Sequence, residues 1–171
     1  MQSRLFLVGF MGAGKSTMGP LLAGRLRWDF VDLDEKIEHD QNRTIREIFE
    51  TEGEPGFRRI ETQALTQLEG RKHCVVALGG GAFVEQVNRL VVARLGVSVF
   101  LDCRLDVILA RCPADGTRPL LQTPALVEQL YESRLPLYRK CDVCINVSDL
   151  TPDEASEAIL LAVGTTVKRQ S

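Results

Sequence analysis

Short apolar segments alternate with amphipathic ones along the whole chain. The apolar segments are nearly continuous, which is typical of strands that are buried on both faces of a sheet. We predict five such strands, at residues 4–8, 29–33, 74–78, 97–101 and 143–147.

Helix signals fill the intervals between these strands. A helical period over residues 56–69 places four apolar side chains on one face, namely Phe57, Ile60, Ala64 and Leu68. Thr44 and Glu47 have the spacing of a capping box, and Thr123 and Thr151, each followed by proline, have the pattern of helix N-caps. Further helices are predicted at residues 15–27, 84–95 and 105–111, and another begins at Asp34.

Strands that alternate with helices predict a parallel sheet covered by helices on both faces, which is an α/β fold. The 171 residues suit one domain with a single core, so we predict a single domain over residues 1–171. Ligands of such folds bind at the carboxyl ends of the strands. Four conspicuous residues follow predicted strands: Gly9, Asp32, Asp34 and Gly79.

Composition and charge argue against a nucleic-acid-binding, membrane or secreted protein. Hydrophobic residues make up 44% of the chain and charged residues 26%, as in a soluble globular protein. The net charge of −2 gives no general attraction for nucleic acid or an anionic membrane, and no apolar run approaches the roughly 20 residues that span a bilayer. The N-terminus is a poor secretory signal, and an odd number of cysteines, five, fits a reduced cytoplasmic setting. The lone pair Cys141 and Cys144 lacks the partners of a zinc site.

The segment GFMGAGKST, residues 9–17, predicts a phosphate-binding loop. Its glycines allow a tight turn in which successive backbone N–H groups point at phosphate oxygens, and the helix that follows adds its positive N-terminal end. Lys15 would reach the β- and γ-phosphates, and the Ser16 hydroxyl would bind Mg²⁺. We therefore predict a nucleotide site formed by Gly12, Ala13, Gly14, Lys15, Ser16 and Thr17.

Two carboxylates, Asp32 and Asp34, follow the second predicted strand. As residues two apart on a strand, they would point to the same side. Beside a triphosphate, one can hold Mg²⁺ through its water shell and the other can orient and deprotonate an attacking hydroxyl. The alternative is that Asp34 caps a helix and Asp32 is an ordinary loop acid.

Two arginines and a glycine turn suggest that the phosphate acceptor is a small anion, and a third arginine suggests a contact with the γ-phosphate. Arg58 and Glu61 lie one helical turn apart, so Glu61 can hold the Arg58 guanidinium in place to face a carboxylate. Arg134 would be a second fork for the same small anion. Gly79, Gly80 and Gly81 would offer backbone amides to a ligand, with a simple tight turn as the alternative.

Arg111 and Arg118 lie at the two ends of a segment that is predicted to be a mobile flap. Arg118 would close over the γ-phosphate; the alternative is that this segment is only a solvated loop.

Together these motifs resemble shikimate kinase. They comprise the phosphate loop, Phe30-x-Asp32-x-Asp34, GFRRIE within residues 53–61, the triple glycine, Arg118-Pro119-Leu120 and Arg134-x-Pro136-Leu137-Tyr138. The resemblance covers the chain from Leu5 to about Val147, in the family's order and spacing. It implies a P-loop NTPase-type three-layer sandwich related to nucleoside monophosphate kinases, with a lid at about 111–123 and an acceptor-binding segment at about 33–61.

The resemblance also implies the reaction and its residues. ATP would phosphorylate the 3-hydroxyl of shikimate in the pathway to aromatic amino acids, with Mg²⁺ as the cofactor. Lys15, Asp34 and Arg118 would be catalytic, and Ser16 and Asp32 would organise the metal. Shikimate would be bound by Asp34, Arg58, Gly80, Gly81 and Arg134, and Arg111 would lie near the adenine. Some members carry arginine after the fifth strand, where this chain has Asn146-Val147-Ser148-Asp149-Leu150.

Three alternatives stay open at this point. One is another small-molecule kinase, such as a gluconate kinase. A second is a kinase-like binding module without catalysis, and a third is a signalling NTPase. We predict a cytoplasmic monomer that binds ATP and shikimate, and neither nucleic acid nor membranes.

Overall fold

The structure is a computed structural model that describes residues 3–111 and 123–170, with backbone alone for 166–170. It confirms the predicted α/β class. All strand pairs are parallel, and the order in the sheet is β2-β3-β1-β4-β5. The strands are β1 (Arg4–Val8), β2 (Asp29–Asp32), β3 (Cys74–Ala77), β4 (Val97–Asp102) and β5 (Val143–Asn146).

Helices connect these strands. They are α1 (Lys15–Leu26), α2 (Leu33–Gln41), α3 (Ile45–Gln67), α4 (Gln86–Leu95), α5 (Leu105–Arg111), α6 (Pro124–Tyr138) and α7 (Pro152–Gln170). Two short 3₁₀ turns occur at Leu68–Gly70 and Ala82–Val84. None of the helices that the structure describes is long and apolar enough to cross a membrane.

The central strand β1 shows that the sheet is covered on both faces. Its residues Leu5 to Val8 point alternately to opposite faces, and all of them are buried. Helix α1 packs beside α7, where Arg25 bonds to Asp153 at 2.7 Å, and α3 packs beside α4. The chain is therefore a three-layer sandwich whose interior strands contact apolar side chains on each side.

Most predicted boundaries shift by one or two residues, and two corrections have a visible physical cause. The second strand ends at Asp32 instead of residue 33, because the Asp32 side chain accepts hydrogen bonds from the backbone N–H groups of Asp34 and Glu35 and so starts α2. The helix predicted at 56–69 is the second part of α3, which begins at Ile45 behind the Thr44 capping box. Gly53 interrupts α3 with φ 67° and ψ −179°, a conformation that glycine adopts readily.

Arg4 joins three elements at the amino end of the sheet. Its guanidinium donates to the carbonyl oxygens of Leu68 at 3.0 Å, Glu69 at 2.5 Å and Leu95 at 3.1 Å. These carbonyls lie at or just beyond the C-terminal ends of α3 and α4, where helices leave oxygens unpaired. One charged side chain on β1 therefore holds the ends of two neighbouring helices.

We expect Arg4→Met to lower the free energy of unfolding by roughly 2 kcal/mol, because it leaves three carbonyl oxygens without a charged donor. Urea unfolding followed by circular dichroism measures the change. Arg71→Met is the matched control, since Arg71 is exposed in the same region. Equal stability of the two variants would contradict the role of Arg4.

Candidate active site

The carboxyl ends of the parallel strands bring the predicted site residues to one edge of the sheet. The phosphate loop follows β1, Asp32 ends β2, and the three glycines come shortly after β3. Strand pairing in register, with Leu7 opposite Ala77 and Asp32 opposite Ala77, aligns these ends. The local sequence of each connection then determines which groups face the cleft.

The phosphate loop has the backbone that its glycines predict. Gly9, Gly12 and Gly14 have φ values of 157°, 75° and 100°, in the region that other residues rarely adopt. Gly14 precedes α1 without a side-chain cap, so the N-terminus of this helix is open toward the loop. The Lys15 ammonium donates to the carbonyls of Gly9 at 2.7 Å and Phe10 at 2.9 Å. The loop thus presents a lysine and a helix N-terminus, the groups that hold phosphate.

The two carboxylate oxygens of Asp32 have different hydrogen-bond partners. Oδ1 accepts from the backbone N–H of Asp34 at 3.0 Å and caps α2, whereas Oδ2 lies 3.3 Å from the Ser16 hydroxyl. The capping alternative was therefore assigned to the wrong residue, because Asp32 caps the helix and Asp34 lies in its first turn. The prediction that both acids project from a strand was wrong for the same reason.

Ser16 and Asp32 are a reasonable pair for Mg²⁺. Hydroxyl and carboxylate oxygens are its preferred ligands, and Mg²⁺ commonly takes only one or two protein ligands with water and phosphate oxygens completing the shell. Among residues 3–111 and 123–170 there is no cluster of three or more His, Cys, Asp or Glu side chains suited to a metal. The chemistry of this pair, one hydroxyl and one carboxylate, fits Mg²⁺ whose other ligands are phosphate oxygens and water.

Asp34 lies half-buried in the cleft. Burial raises the pKa of this carboxyl above its ordinary value, and the nearby Asp32 charge adds to this, whereas Lys15 acts in the opposite direction. A carboxylate whose pKa is raised is a better proton acceptor than a solvated one. Its position two residues after β2, beside Lys15, allows it to face both a phosphate and a hydroxyl.

Arg58 is held on two sides by acids of α3. Its Nη1 donates to Glu61 at 2.9 Å, as the spacing predicts, and Nη2 donates to the exposed Glu54 at 3.1 Å. The guanidinium lies over the Phe57 ring, 5.3 Å from the ring centroid. Its Nε is buried and has no hydrogen-bond partner among the described residues.

Glu61 is the buried partner in this pair, with 1% of its surface exposed. Burial raises its pKa to about 7, while the charge and hydrogen bond of Arg58 act in the opposite direction. Near neutral pH the carboxyl is therefore close to its titration midpoint, and its ionised form is the one that pairs fully with Arg58.

The glycine turn brings the acceptor residues together. A Cβ atom at Gly79 would lie 2.6 Å from Asp34 Oδ1, and one at Gly81 would lie 2.5 Å from Arg58 Nη2. At Gly80 the nearest group is Arg134 Nη1, 3.5 Å away. Each glycine thus faces one of the three charged side chains predicted to bind the acceptor. The alternative of a simple tight turn does not account for these three contacts.

Tyr138 has a role that the sequence reasoning missed. Its buried hydroxyl donates to the Gly80 carbonyl and lies near the charge of Arg134. Burial raises its pKa to about 12, so the hydroxyl stays protonated. The signal in the sequence is the spacing of four residues on α6, which places Tyr138 one turn from Arg134.

The nucleotide end of the site is described only in part. Arg111 is exposed at the end of α5, and its Nη1 lies 3.8 Å from Cys103 Sγ. The segment after β5 is ordered locally, with Asn146 Oδ1 accepting from the Ser148 N–H at 3.0 Å. Arg118 and the predicted lid lie outside the described residues, apart from the lid's ends, so their roles stay predictions.

Comparisons with known proteins show the family of this chain. The chain matches the shikimate kinase family model over residues 11–163. It is 44% identical over 168 residues to a shikimate kinase of Microcystis aeruginosa, covering 96% of this chain and 88% of that protein. A shikimate kinase of Cereibacter sphaeroides is 40% identical over 168 residues, with 96% and 84% covered. The solved shikimate kinase of Acinetobacter baumannii in complex with shikimate superposes with a TM-score of 0.90 at 37% identity, covering 96% of this chain and 94% of that one.

We expect Gly79→Ala to displace the Asp34 side chain, because the new Cβ would lie 2.6 Å from Asp34 Oδ1. A shift of about 1 Å in a reacting group can lower turnover about 100-fold, so we expect a loss of roughly 10- to 100-fold in phosphate transfer. A crystal structure of the variant and steady-state kinetics measure the two effects. Gly70→Ala is the control, since its Cβ would enter open space. An unmoved Asp34 with normal turnover would contradict this interpretation.

Proposed function

Because the chain belongs to the shikimate kinase family, we propose that it transfers the γ-phosphate of ATP to the 3-hydroxyl of shikimate. The products are ADP and shikimate 3-phosphate, in the biosynthesis of aromatic amino acids. The observation that carries this proposal is the convergence of Asp34, Arg58 and Arg134 on the glycine turn, within a chain that matches the family over residues 11–163.

The acceptor carboxylate binds between the two guanidinium groups. Arg58 is held by Glu61 and Glu54, yet its Nε still lacks a partner among the described residues. Arg134 lies across the glycine turn, with its guanidinium 6.0 Å from the centroid of the Phe10 ring. Planar forks with remaining donors recognise a carboxylate with defined orientation, which a lysine in either place would not do. The carboxylate thereby orients the ring hydroxyls.

Asp34 accepts the proton of the attacking hydroxyl. Its carboxylate lies beside the Gly79 turn and near Lys15, between the acceptor residues and the phosphate loop. It orients the 3-hydroxyl toward the γ-phosphate and takes up the proton as the new bond forms. Phosphoryl transfer depends mainly on such positioning and on charge stabilisation.

The phosphates are bound by the loop and the adjoining helix. The N–H groups of residues 12–17 and the Lys15 ammonium hold the terminal phosphates, and Arg118 completes the charge from the lid. Ser16 and Asp32 would hold Mg²⁺, which would supply positive charge to neutralise the phosphates. Arg111 lies near the adenine.

The assay that tests this function is ADP release, coupled to NADH oxidation, with shikimate, with gluconate and without an acceptor. We expect shikimate to accelerate ADP release at least about 100-fold over the acceptor-free rate, in an Mg²⁺-dependent manner. Faster turnover with gluconate would assign a different acceptor. Nucleotide binding without transfer to either acceptor would indicate a binding module, and acceptor-independent hydrolysis would indicate a signalling NTPase.

Size-exclusion chromatography tests the predicted monomer, and the cytoplasmic location stays a prediction.

We expect Asp34→Asn to lower kcat by roughly 10²- to 10⁴-fold, because an amide cannot accept the hydroxyl proton. The KM for ATP should change little, since Asp34 is assigned to the acceptor. Glu35→Gln is the matched control, because Glu35 is an exposed acid in the same helical turn. A kcat of Asp34→Asn within about threefold of the parent value would remove Asp34 from the mechanism.

A further inference from the structure

A buried polar network links the acceptor site to α4. Its centre is Asn88, whose side chain is fully buried. Asn88 Nδ2 donates to the Ala82 carbonyl at 3.0 Å and lies 3.5 Å from Glu61 Oε2. Its Oδ1 accepts from the Thr62 hydroxyl at 2.7 Å. The amide therefore uses both its donor and its acceptor groups away from water.

Such a group costs folding free energy unless its hydrogen bonds are satisfied, whereas an apolar residue of similar volume would pack at this position without that requirement. The residues around it are on α3 and in the 3₁₀ turn that follows the glycines, and both belong to the acceptor site. A buried amide in this place is therefore better explained by the geometry that it fixes than by packing alone.

The network reaches Arg58 by two routes. Glu61 contacts both Asn88 Nδ2 and Arg58 Nη1 through the same oxygen, Oε2. The Thr62 hydroxyl, which bonds to Asn88, also lies 3.0 Å from the Arg58 carbonyl oxygen. On the other side, Ala82 directly follows Gly81, which faces the Arg58 guanidinium. Asn88 thus connects the two pieces of backbone between which Arg58 lies.

We propose that Asn88 is a positioning residue for the acceptor: through Glu61 and Ala82 it sets the distance between the Arg58 guanidinium and the Gly79–Gly81 turn. Asn88 itself has no contact with the substrates in this arrangement. The inference rests on the proposed function, because it takes Arg58 as the group that binds the acceptor carboxylate.

The charges around Glu61 give this contact a measurable consequence. Arg58 on α3 favours the ionised form of Glu61, whereas burial and the acidic groups Asp34 on α2 and Glu85 before α4 disfavour it. An N–H donor from Asn88 favours the ionised form, which is the form that holds Arg58. Loss of this donor should therefore raise the pKa of Glu61 and weaken its ion pair with the Arg58 guanidinium.

Asn88→Leu tests the proposal, because leucine has a similar size and no polar atoms. We expect the KM for shikimate to rise about five- to twentyfold, with kcat changed less than threefold and the KM for ATP unchanged. Val92→Ala on the same helix is the matched control, since it removes buried volume from α4 without touching the network. It should lower thermal stability and leave the KM for shikimate unchanged.

A second readout uses no substrate. The pKa of Glu61 is measured by carbon-13 NMR of the side-chain carboxyl carbon in the full chain, and we expect it to rise in Asn88→Leu and not in Val92→Ala. This titration separates the two proposals, because it reports the Asn88 contact even if the parent protein does not phosphorylate shikimate. An unchanged pKa, or a rise in KM equal to that of Val92→Ala, would overturn the positioning role.

Thr62→Val gives a milder test that decides the question if Asn88→Leu does not fold. Valine keeps the shape of threonine but removes the hydroxyl that holds Asn88 Oδ1. We expect the KM for shikimate to rise about two- to fivefold and the pKa of Glu61 to rise by a smaller amount than in Asn88→Leu. If neither quantity changes in Thr62→Val, the proposal is wrong.

Discussion

The close approach of charged side chains to the Gly79–Gly81 backbone is the constraint on which the site depends. Any side chain at Gly79 or Gly81 would occupy the space of Asp34 or Arg58, with contacts of 2.6 and 2.5 Å from the first carbon atom alone. Because β3 ends beside β1 and β2, this turn lies next to the phosphate loop and the start of α2. A backbone without side chains is thus the common surface against which a carboxylate and two guanidinium groups are placed.

Each charged group on this surface has a contact with a residue close to it in the chain. Asp34 is placed by the Asp32 cap at the start of α2, and Arg58 by Glu61 and Glu54. Arg134 lies one helical turn from Tyr138, whose hydroxyl bonds to the Gly80 carbonyl. Side chains that are already held lose less conformational entropy when the ligand binds. The entropic cost of holding the acceptor in the geometry for phosphate transfer is therefore lower.

The sequence predicted the fold well, because continuous apolar strands and capping motifs are local signals. It also predicted the phosphate loop, the Arg58–Glu61 pair and the proximity of the glycines to the acceptor residues. It began a helix at Asp34 but took the two acids as residues two apart on a strand. Spacing alone does not show that the Asp32 side chain accepts from the next N–H groups and caps this helix. Asn88 could not be found, because one asparagine on a helix gives no sign of the Ala82 carbonyl and the Glu61 carboxyl that it contacts in space.

The charges of the site explain why geometry has to supply the affinity for an anionic acceptor. Three cationic side chains line the cleft, Lys15, Arg58 and Arg134, and three carboxyl groups lie among them, Asp32, Asp34 and Glu61. Among the described residues of the cleft these acids offset the cations, and the chain as a whole carries a net charge of −2. A carboxylate must therefore be bound by donors in the right place, such as the guanidinium that Glu61 and Glu54 hold, instead of by attraction at a distance. This is why an uncharged amide that sets the position of one guanidinium can affect the binding of the substrate.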